Sequence, residues 1–294
     1  MTSGLSNSQQ NLNTNLHASE VDPSSSGYTY PMSSVQLIAP RALQPHKPLF
    51  IFLPGMDGTG TLLRSQIDRL VPWFDLRCVA ISPHDQTGWE PLARQISRLV
   101  SAEIAGSKSR PVGRRRSVYL CGESFGGCLA MQVLTRSPHL FDRVILINPA
   151  SSFRRLPWMQ LGSMLTRQLP NAAYRYSAWG IVPFLVDPFR VDRPNREALE
   201  AAMGSVPAKT AAWRMSLLSL FEVERLPLER MTHPVLLVAG ESDLLLPSKR
   251  EAKSLQARFP NAKLTLLPKS GHACLLESET NLQQILQQQS FLEP

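Results

Sequence analysis

Residues 116–135 have the sequence R-S-V-Y-L-C-G-E-S-F-G-G-C-L-A-M-Q-V-L-T. Residues 117–121 predict a short buried strand, and residues 127–135 predict a helix that starts with small side chains. The turn between them is Gly122-Glu123-Ser124-Phe125-Gly126, a G-x-S-x-G pattern between a strand and a helix. Its two outer positions are glycine because a Cβ there would collide with the neighbouring backbone. We therefore predict that Ser124 presents its hydroxyl at the edge of a sheet.

A serine hydroxyl is a weak nucleophile at neutral pH, so this turn predicts a histidine base and a carboxylate that orients it. Asp243 lies in a loop after the predicted strand 234–239, and His272 lies in a loop after the predicted strand 263–267. Glu241 competes with Asp243 for the acid role. We favour Asp243 because it lies further into its loop, where it can turn back toward the histidine. The predicted catalytic residues are Ser124, Asp243 and His272.

A second glycine-rich loop, residues 54–60, follows the apolar stretch Leu49 to Leu53. It has neither the G-x-G-x-x-G pattern nor the lysine of a phosphate-binding loop. Acyl transfer needs two N–H donors for the negatively charged oxygen of its tetrahedral intermediate. We predict that the N–H groups of Met56 and Phe125 supply them. Gly55, with the two glycines of the serine turn, would support these loops.

The remaining apolar stretches predict alternating strands and helices. The predicted strands are 34–39, 49–53, 76–81, 117–121, 143–147, 234–239 and 263–267, and the predicted helices are 61–71, 89–105, 127–135, 248–259 and 275–288. Right-handed crossovers convert this order into a mostly parallel sheet covered by helices on both faces. Residues 34–294 would form one such α/β domain. Residues 151–231, rich in Trp, Phe, Met and Leu, predict a helical cap inserted between strands.

Residues 1–33 are rich in Ser, Asn, Gln and Thr, which predicts a disordered tail. A plastid transit peptide is the alternative for this segment, although it contains no arginine. No apolar run is long enough to span a bilayer, so we expect a cytoplasmic protein, with a plastid location as the alternative. The four cysteines, at 78, 121, 128 and 274, lack metal-ligand spacing. We expect reduced, buried thiols and neither a metal nor a cofactor.

The formal net charge of the chain is +8, and all of the excess positive charge lies outside residues 1–33. Five cations fall in the run 108–116, which predicts a solvated connection or, alternatively, docking to an anionic membrane or an acidic acyl carrier. No nucleic-acid recognition motif is present, so we expect no nucleic-acid partner. The other histidines predict ordinary polar surface at 17, 46, 139 and 233, whereas His84 could line the site.

The order serine, aspartate, histidine is that of the α/β-hydrolases. More narrowly, residues 52–60, 122–128 and 148–150 resemble the hydrolase part of the phytyl ester synthase and diacylglycerol acyltransferase-like proteins of plastids and cyanobacteria. This resemblance implies acyl transfer through an acyl-serine onto long-chain alcohols such as phytol or diacylglycerol, with esterase activity besides. The longer members of that family continue into an acyltransferase-like domain, so hydrolysis is the first activity that we expect here.

Three functions follow from these patterns. The first is a serine hydrolase of the esterase, lipase or thioesterase type that acts on a lipophilic acyl ester. The second is an acyltransferase that uses the same three residues. Whether water or an alcohol reaches the acyl-enzyme depends on how well the cap excludes water. The third is a binding protein for hydrophobic ligands that has the fold without the catalysis.

Overall fold

The computed structural model describes residues 34–106, 115–166, 170, 173–174 and 180–293. In these residues seven strands form one sheet in the order β1-β3-β2-β4-β5-β6-β7. The strands are β1 (Val35–Ile38), β2 (Leu49–Leu53), β3 (Asp75–Ile81), β4 (Val118–Glu123), β5 (Arg143–Ile147), β6 (Val235–Gly240) and β7 (Ala262–Leu267). Strand β1 is antiparallel to β3, and all the other neighbours are parallel. The predicted mostly parallel sheet is confirmed.

Helices cover both faces of this sheet. They are α1 (Arg64–Leu70), α2 (Trp89–Gly106), α3 (Phe125–Arg136), α8 (Ser248–Gln256) and α9 (Leu282–Gln288). Strand β2 is buried along its whole length, with its leucines and isoleucine packed on the side of α2, α3 and α8. Its two phenylalanines pack on the opposite side, with α1 and α9. An all-apolar strand is what a parallel sheet covered on both faces requires.

Between β5 and β6, the described residues of the predicted cap contain helices and no strand. This segment contains α4 (Pro157–Thr166), α5 (Val182–Leu185), α6 (Arg193–Gly204) and α7 (Ala208–Ser219). The loops that follow β2, β4, β6 and β7 all leave the carboxyl ends of parallel strands, so they meet at one edge of the sheet. The sheet thereby brings together loops that are far apart in sequence.

Two predicted helices differ from the observed ones. The helix expected over 61–71 begins as a 3₁₀ turn at Thr61–Leu63 and is α-helical only from Arg64. The closing helix expected over 275–288 is wrong in its first half. A 3₁₀ turn covers Cys274–Leu276, and the α-helix starts at Leu282. The break leaves Glu277 outside the helix. In this position its buried carboxylate accepts hydrogen bonds from the preceding loop, from Ser270 and Gly271.

The basic run 108–116 lies partly outside the described residues, but its last two arginines are well defined. Arg115 forms an ion pair with Asp142. Arg116 is buried and pairs with Asp75 and Glu103. The expectation of a solvated connection is therefore wrong for Arg116, which links the starts of β3 and β4 to α2.

The other predictions about surface and interior have different outcomes. All four cysteines are free and buried, as expected. None of the described helices combines the length and the hydropathy needed to cross a membrane. The prediction of a disordered tail concerns residues 1–33, which lie outside the described residues.

Candidate active site

Ser124 occupies a strained turn between β4 and α3. Its backbone φ of 54° and ψ of −115° fall outside the regions that residues with a Cβ usually adopt. A Cβ on Gly122 would stand 2.3 Å from the carbonyl oxygen of Gly126, and one on Gly126 would stand 2.1 Å from that of Leu53. Both glycines are therefore required by lack of space, and the close approach of three backbone segments presents the serine at the sheet edge.

His272 contacts both of its predicted partners. Its Nε2 lies 2.8 Å from Ser124 Oγ, and its Nδ1 lies 2.7 Å from Asp243 Oδ2. All three side chains are thus linked by hydrogen bonds in one line. Because an ionised Asp243 only accepts, Nδ1 carries the proton and Nε2 is the acceptor for the serine hydroxyl.

The Asp243 carboxylate is held by more than the histidine. Its Oδ1 accepts hydrogen bonds from the amides of Leu245 and Leu246, both at 2.9 Å, and its Oδ2 also accepts one from the Ser248 hydroxyl. Burial alone would raise the pKa of Asp243, but the charge of His272 and these hydrogen bonds hold the pKa below its ordinary value. Glu241, the other candidate for the acid role, forms an ion pair with Lys249 instead.

The imidazole of His272 is buried, and burial disfavours its charged form. The Asp243 carboxylate outweighs this effect through its charge and its hydrogen bond, so the pKa of His272 lies above its ordinary value. A raised pKa suits a general base, because it increases the affinity of Nε2 for the serine proton.

Met56 and Phe125 lie in the two loops predicted to hold an oxyanion. Among the hydrogen bonds of the described residues, none has the N–H of Met56 or of Phe125 as its donor. The loop after β2 turns tightly, with the amide of Gly58 donating to the oxygen of Gly55 at 3.1 Å. Gly55 differs from the glycines of the serine turn, since the atoms nearest to a Cβ there would lie at an ordinary 3.7 Å.

Two buried side chains hold the histidine loop, and sequence reasoning missed both roles. Asn148 Nδ2 donates to the oxygen of His272 at 2.6 Å, while its Oδ1 accepts from the amide of Gly240 at 2.9 Å. Glu277 accepts from the amide of Gly271 and from Ser270 Oγ, both at 2.7 Å. The Asn-Pro-Ala sequence after β5 was a usable signal for Asn148. The sequence around Glu277 contains no comparable signal, because no adjacent residue indicates that its side chain is buried.

A second buried carboxyl group, Glu123, lies directly before Ser124. Burial, reinforced by the charge of Asp57, raises its pKa to about 8 despite the opposing effect of His272. Its Oε2 has no hydrogen-bond partner among the described residues. Near neutral pH this side chain is therefore largely uncharged. His84, considered for the site, is exposed and is not among the described residues that line the cavity.

Ser124 and His272 lie in the wall of a cavity of about 670 Å³. Most of its other walls are apolar and come from the segment between β5 and β6 and from the loop after β6. These side chains include Phe153, Met159, Leu199, Met203, Met215, Leu218 and Leu246. The volume and character are those of a site for a small apolar ligand or a long acyl chain. Within the described residues, no three His, Cys, Asp or Glu side chains are grouped so that they could hold a metal ion.

Comparison with known proteins points to one family. The chain is 30% identical over 258 residues to phytyl ester synthase 1, chloroplastic, from Arabidopsis thaliana, which covers 80% of the chain but only 36% of that protein. It is 29% identical over 167 residues to the pimeloyl-[acyl-carrier protein] methyl ester esterase of Nitrosomonas europaea, covering 53% of the chain and 65% of that enzyme. The chain thus spans about a third of the plant relative.

Among solved structures, a thermophilic esterase from Thermogutta terrifontis superposes with a TM-score of 0.66 at 17% identity, covering 88% of this chain and 94% of that one. At this identity the likeness concerns the fold alone. The alpha/beta hydrolase family pattern matches residues 50–283, which run from β2 to the start of α9 and include the loops of Ser124, Asp243 and His272. The chain belongs to the alpha/beta hydrolase family.

Proposed function

We propose that this protein is a serine ester hydrolase that acts on a lipophilic acyl ester through an acyl-Ser124 intermediate. The observation that carries the proposal is the hydrogen-bonded line from Ser124 through His272 to Asp243 at an apolar cavity. A hydrolytic serine needs a base within hydrogen-bonding distance, and a lipophilic acyl chain needs apolar walls. Family membership supports the reaction class but does not specify the substrate.

The reaction would proceed in two stages. Ser124 Oγ attacks the acyl carbon while His272 Nε2 takes the hydroxyl proton, and the negative charge on the former carbonyl oxygen is held by the N–H groups of Met56 and Phe125. The intermediate collapses, and the leaving alkoxide takes the proton from His272. Water then repeats the same steps on the acyl-serine, releasing the acid and restoring the enzyme. Asp243 keeps the imidazole oriented and stabilises its charged form.

Hydrolysis of p-nitrophenyl octanoate tests the proposal. We expect turnover by the parent protein and covalent labelling of Ser124 by a fluorophosphonate probe, both lost in Ser124→Ala. That variant should fold normally, since it removes a single hydroxyl. Full retention of activity in Ser124→Ala would contradict the assignment. A folded parent protein that neither turns over esters nor reacts with the probe would favour a non-catalytic protein that binds hydrophobic ligands.

Acyl transfer is the second candidate, favoured by the match to a relative named as a phytyl ester synthase. Transfer differs from hydrolysis only in the group that attacks the acyl-serine, and an apolar cavity favours a long-chain alcohol over water. Incubation with an acyl donor and phytol or diacylglycerol separates the two. A lipid ester as product would establish transfer, and free acid alone would restrict the enzyme to hydrolysis.

The rim of the cavity suggests where such a substrate comes from. Trp158, Ile181, Phe184 and Leu244 line the cavity and are also 55%, 42%, 51% and 68% exposed. We propose that this rim contacts a lipid surface, with an anionic membrane preferred because of the net charge of +8. An acidic acyl carrier is the alternative partner. The proposed location is the cytoplasm, with the plastid as the alternative because the plant relative is named as chloroplastic.

A further inference from the structure

One arginine of the segment between β5 and β6 reaches into the core beside the oxyanion loop. Arg214, in α7, is only 2% exposed. Its Nη1 donates a 2.6 Å hydrogen bond to the oxygen of Met56, and its Nη2 donates a 3.0 Å bond to the oxygen of Ser82. One guanidinium thus joins α7 to the loop after β2 and to the end of β3.

This placement is costly for a charged side chain. Burial lowers the pKa of Arg214, and the charges of Asp57, Asp85 and Tyr174 offset this only in part. The planar guanidinium holds two carbonyl oxygens of separate loops at fixed positions, which the single ammonium of a lysine does less well. Gly58 makes room for it, because a Cβ there would stand 2.8 Å from Nη1.

A second contact joins the same helix to the other proposed oxyanion donor. Trp89, the first residue of α2, donates a 3.0 Å hydrogen bond from Nε1 to the oxygen of Leu217 in α7. Its indole ring stacks on the ring of Phe125, with centroids 4.7 Å apart and planes inclined by 27°. Arg214 of α7 therefore contacts Met56, and Trp89, which is hydrogen-bonded to α7, contacts Phe125. These are the two residues whose N–H groups would hold the oxyanion.

We propose that α7 positions the oxyanion hole, with Arg214 as the positioning residue for the Met56 peptide and Trp89 as the link to Phe125. The inference rests on the proposed function, since it assigns a purpose to contacts around those two N–H groups. Helix α7 also lines the cavity through Ala211, Met215 and Leu218. The element that would touch the acyl chain is thus the one that holds the oxyanion loop.

Arg214→Met tests this directly, with Trp213→Phe as its matched control. Trp213 is the neighbouring residue and also bonds the loop between β3 and α2, through Nε1 to the oxygen of Thr87 at 3.0 Å, but it is not among the described residues that line the cavity. With p-nitrophenyl octanoate we expect kcat to fall roughly 10- to 100-fold in Arg214→Met, because misplacing one donor approaches the effect of removing it. KM should stay within about twofold. Arg214→Lys should recover part of kcat, and Trp213→Phe should resemble the parent.

A second measurement separates positioning from general damage to the helix. Octylboronic acid forms a tetrahedral adduct with the serine, so its affinity should fall with kcat in Arg214→Met, whereas octanoic acid should bind as before. Amide hydrogen exchange over residues 55–59 should accelerate in Arg214→Met but not in Trp213→Phe, whether or not the protein turns over esters. Unchanged kcat, boronate affinity and exchange in Arg214→Met would overturn the proposal.

The remaining outcomes also decide between the proposals. If Arg214→Met does not fold, Arg214→Lys and Trp89→Phe take its place, and parental kcat and exchange in both would overturn the inference. Equal losses of boronate and octanoic acid affinity would likewise overturn it, since they indicate a damaged cavity. An inactive parent whose Ser124 resists the fluorophosphonate probe would reject the proposed function, whereas an active parent with an equally active Arg214→Met would reject only the role of α7.

Discussion

At the scale of single residues, three carboxyl groups near the site differ in their charge and in their hydrogen-bond partners. Asp243 is ionised and saturated with hydrogen bonds, Glu241 is tied to Lys249, and Glu123 is buried without a partner for one of its oxygens. Of these three carboxyl groups, only that of Asp243 forms a hydrogen bond with a ring nitrogen of His272. Contact geometry, rather than the presence of an acid, therefore distinguishes the proposed catalytic carboxylate.

Exchange of Asp243 for Asn gives the first prediction. The Asn side-chain amide donates to Nδ1 as readily as it accepts, so His272 would carry its proton on Nε2 and could no longer accept the serine proton. We expect kcat for p-nitrophenyl octanoate to fall roughly 10³- to 10⁴-fold, by the precedent of serine proteases. Steady-state kinetics of Asp243→Asn beside Glu241→Gln provide the measurement. A large loss in Glu241→Gln with little loss in Asp243→Asn would mean that the acid has been assigned to the wrong residue.

Glu123 gives the second prediction, on stability. Its native pKa of about 8 exceeds the ordinary value of 4.5, so between these values the unfolded chain has released a proton that the native protein retains. This group therefore contributes stability below about pH 4.5 and loses it as the pH rises toward 8. Glu123→Gln should remove that loss. We expect the free energy of unfolding of the variant, minus that of the parent, to increase by a few kcal/mol across this window.

Urea titrations at pH 5, 6, 7 and 8 measure that difference. The measured difference includes a coupled change at His272, because the charge of Glu123 also raises the pKa of that imidazole. A difference that stays constant with pH would show that Glu123 ionises in the native state much as it does in the unfolded chain.

At the scale of elements, ion pairs of similar appearance differ greatly in burial. Arg116 contacts Asp75 at 2.6 Å and Glu103 at 3.1 Å in a buried network that also holds Arg77. Arg115, the residue before it, makes a partly exposed pair with Asp142. Removing Arg116 leaves two carboxylates of this buried network with Arg77 as their one remaining cation, whereas an exposed pair is screened by water.

The third prediction compares these two adjacent arginines. Arg116→Met should lower the free energy of unfolding by about 3–5 kcal/mol, and Arg115→Met by at most about 1 kcal/mol. Both variants lose one positive charge, so net charge cannot explain the contrast. Chemical denaturation monitored by circular dichroism gives both values. Equal effects would indicate that the network at the start of β3 and β4 is hydrated in solution.

The sheet could be predicted from sequence to within one or two residues, because apolar stretches such as Leu49 to Leu53 report burial on both faces directly. The grouping of Ser124, His272 and Asp243 by hydrogen bonds could also be predicted, because a serine in a G-x-S-x-G turn predicts a histidine and an acid, and each of these follows a predicted strand. Arg214 and Glu277 could not. Their hydrogen-bond partners lie in other loops, which a local pattern of side chains does not reveal. The predicted closing helix, 275–288, is too long for the same reason, because the contacts that keep Glu277 out of the helix are with other parts of the chain.

At the scale of the whole molecule, the exposed apolar side chains of the rim also line the cavity, which is the arrangement expected at a cavity mouth. Apolar side chains at such a mouth would be stabilised by insertion into a lipid surface, which would place the cavity where lipophilic esters dissolve. Leu220 offers a comparison, because it is 74% exposed but does not line the cavity. Substitutions of rim residues and of Leu220 therefore distinguish a specific docking surface from a general effect of exposed apolar side chains.

Flotation with vesicles tests this arrangement and gives the fourth prediction. The parent protein should float with vesicles that contain phosphatidylglycerol, and less with pure phosphatidylcholine, because anionic lipid attracts a protein of charge +8. Added salt should narrow that difference in binding by screening the charges.

The double variant Trp158→Ser, Phe184→Ser should reduce the bound fraction at least about fivefold, since each large side chain contributes on the order of 1.5–3 kcal/mol when buried. Leu220→Ser should float like the parent. If Leu220→Ser weakens binding as much as the double variant, the rim is not the docking surface. If the parent stays unbound on both vesicle types, the substrate must reach the cavity from solution or from a carrier.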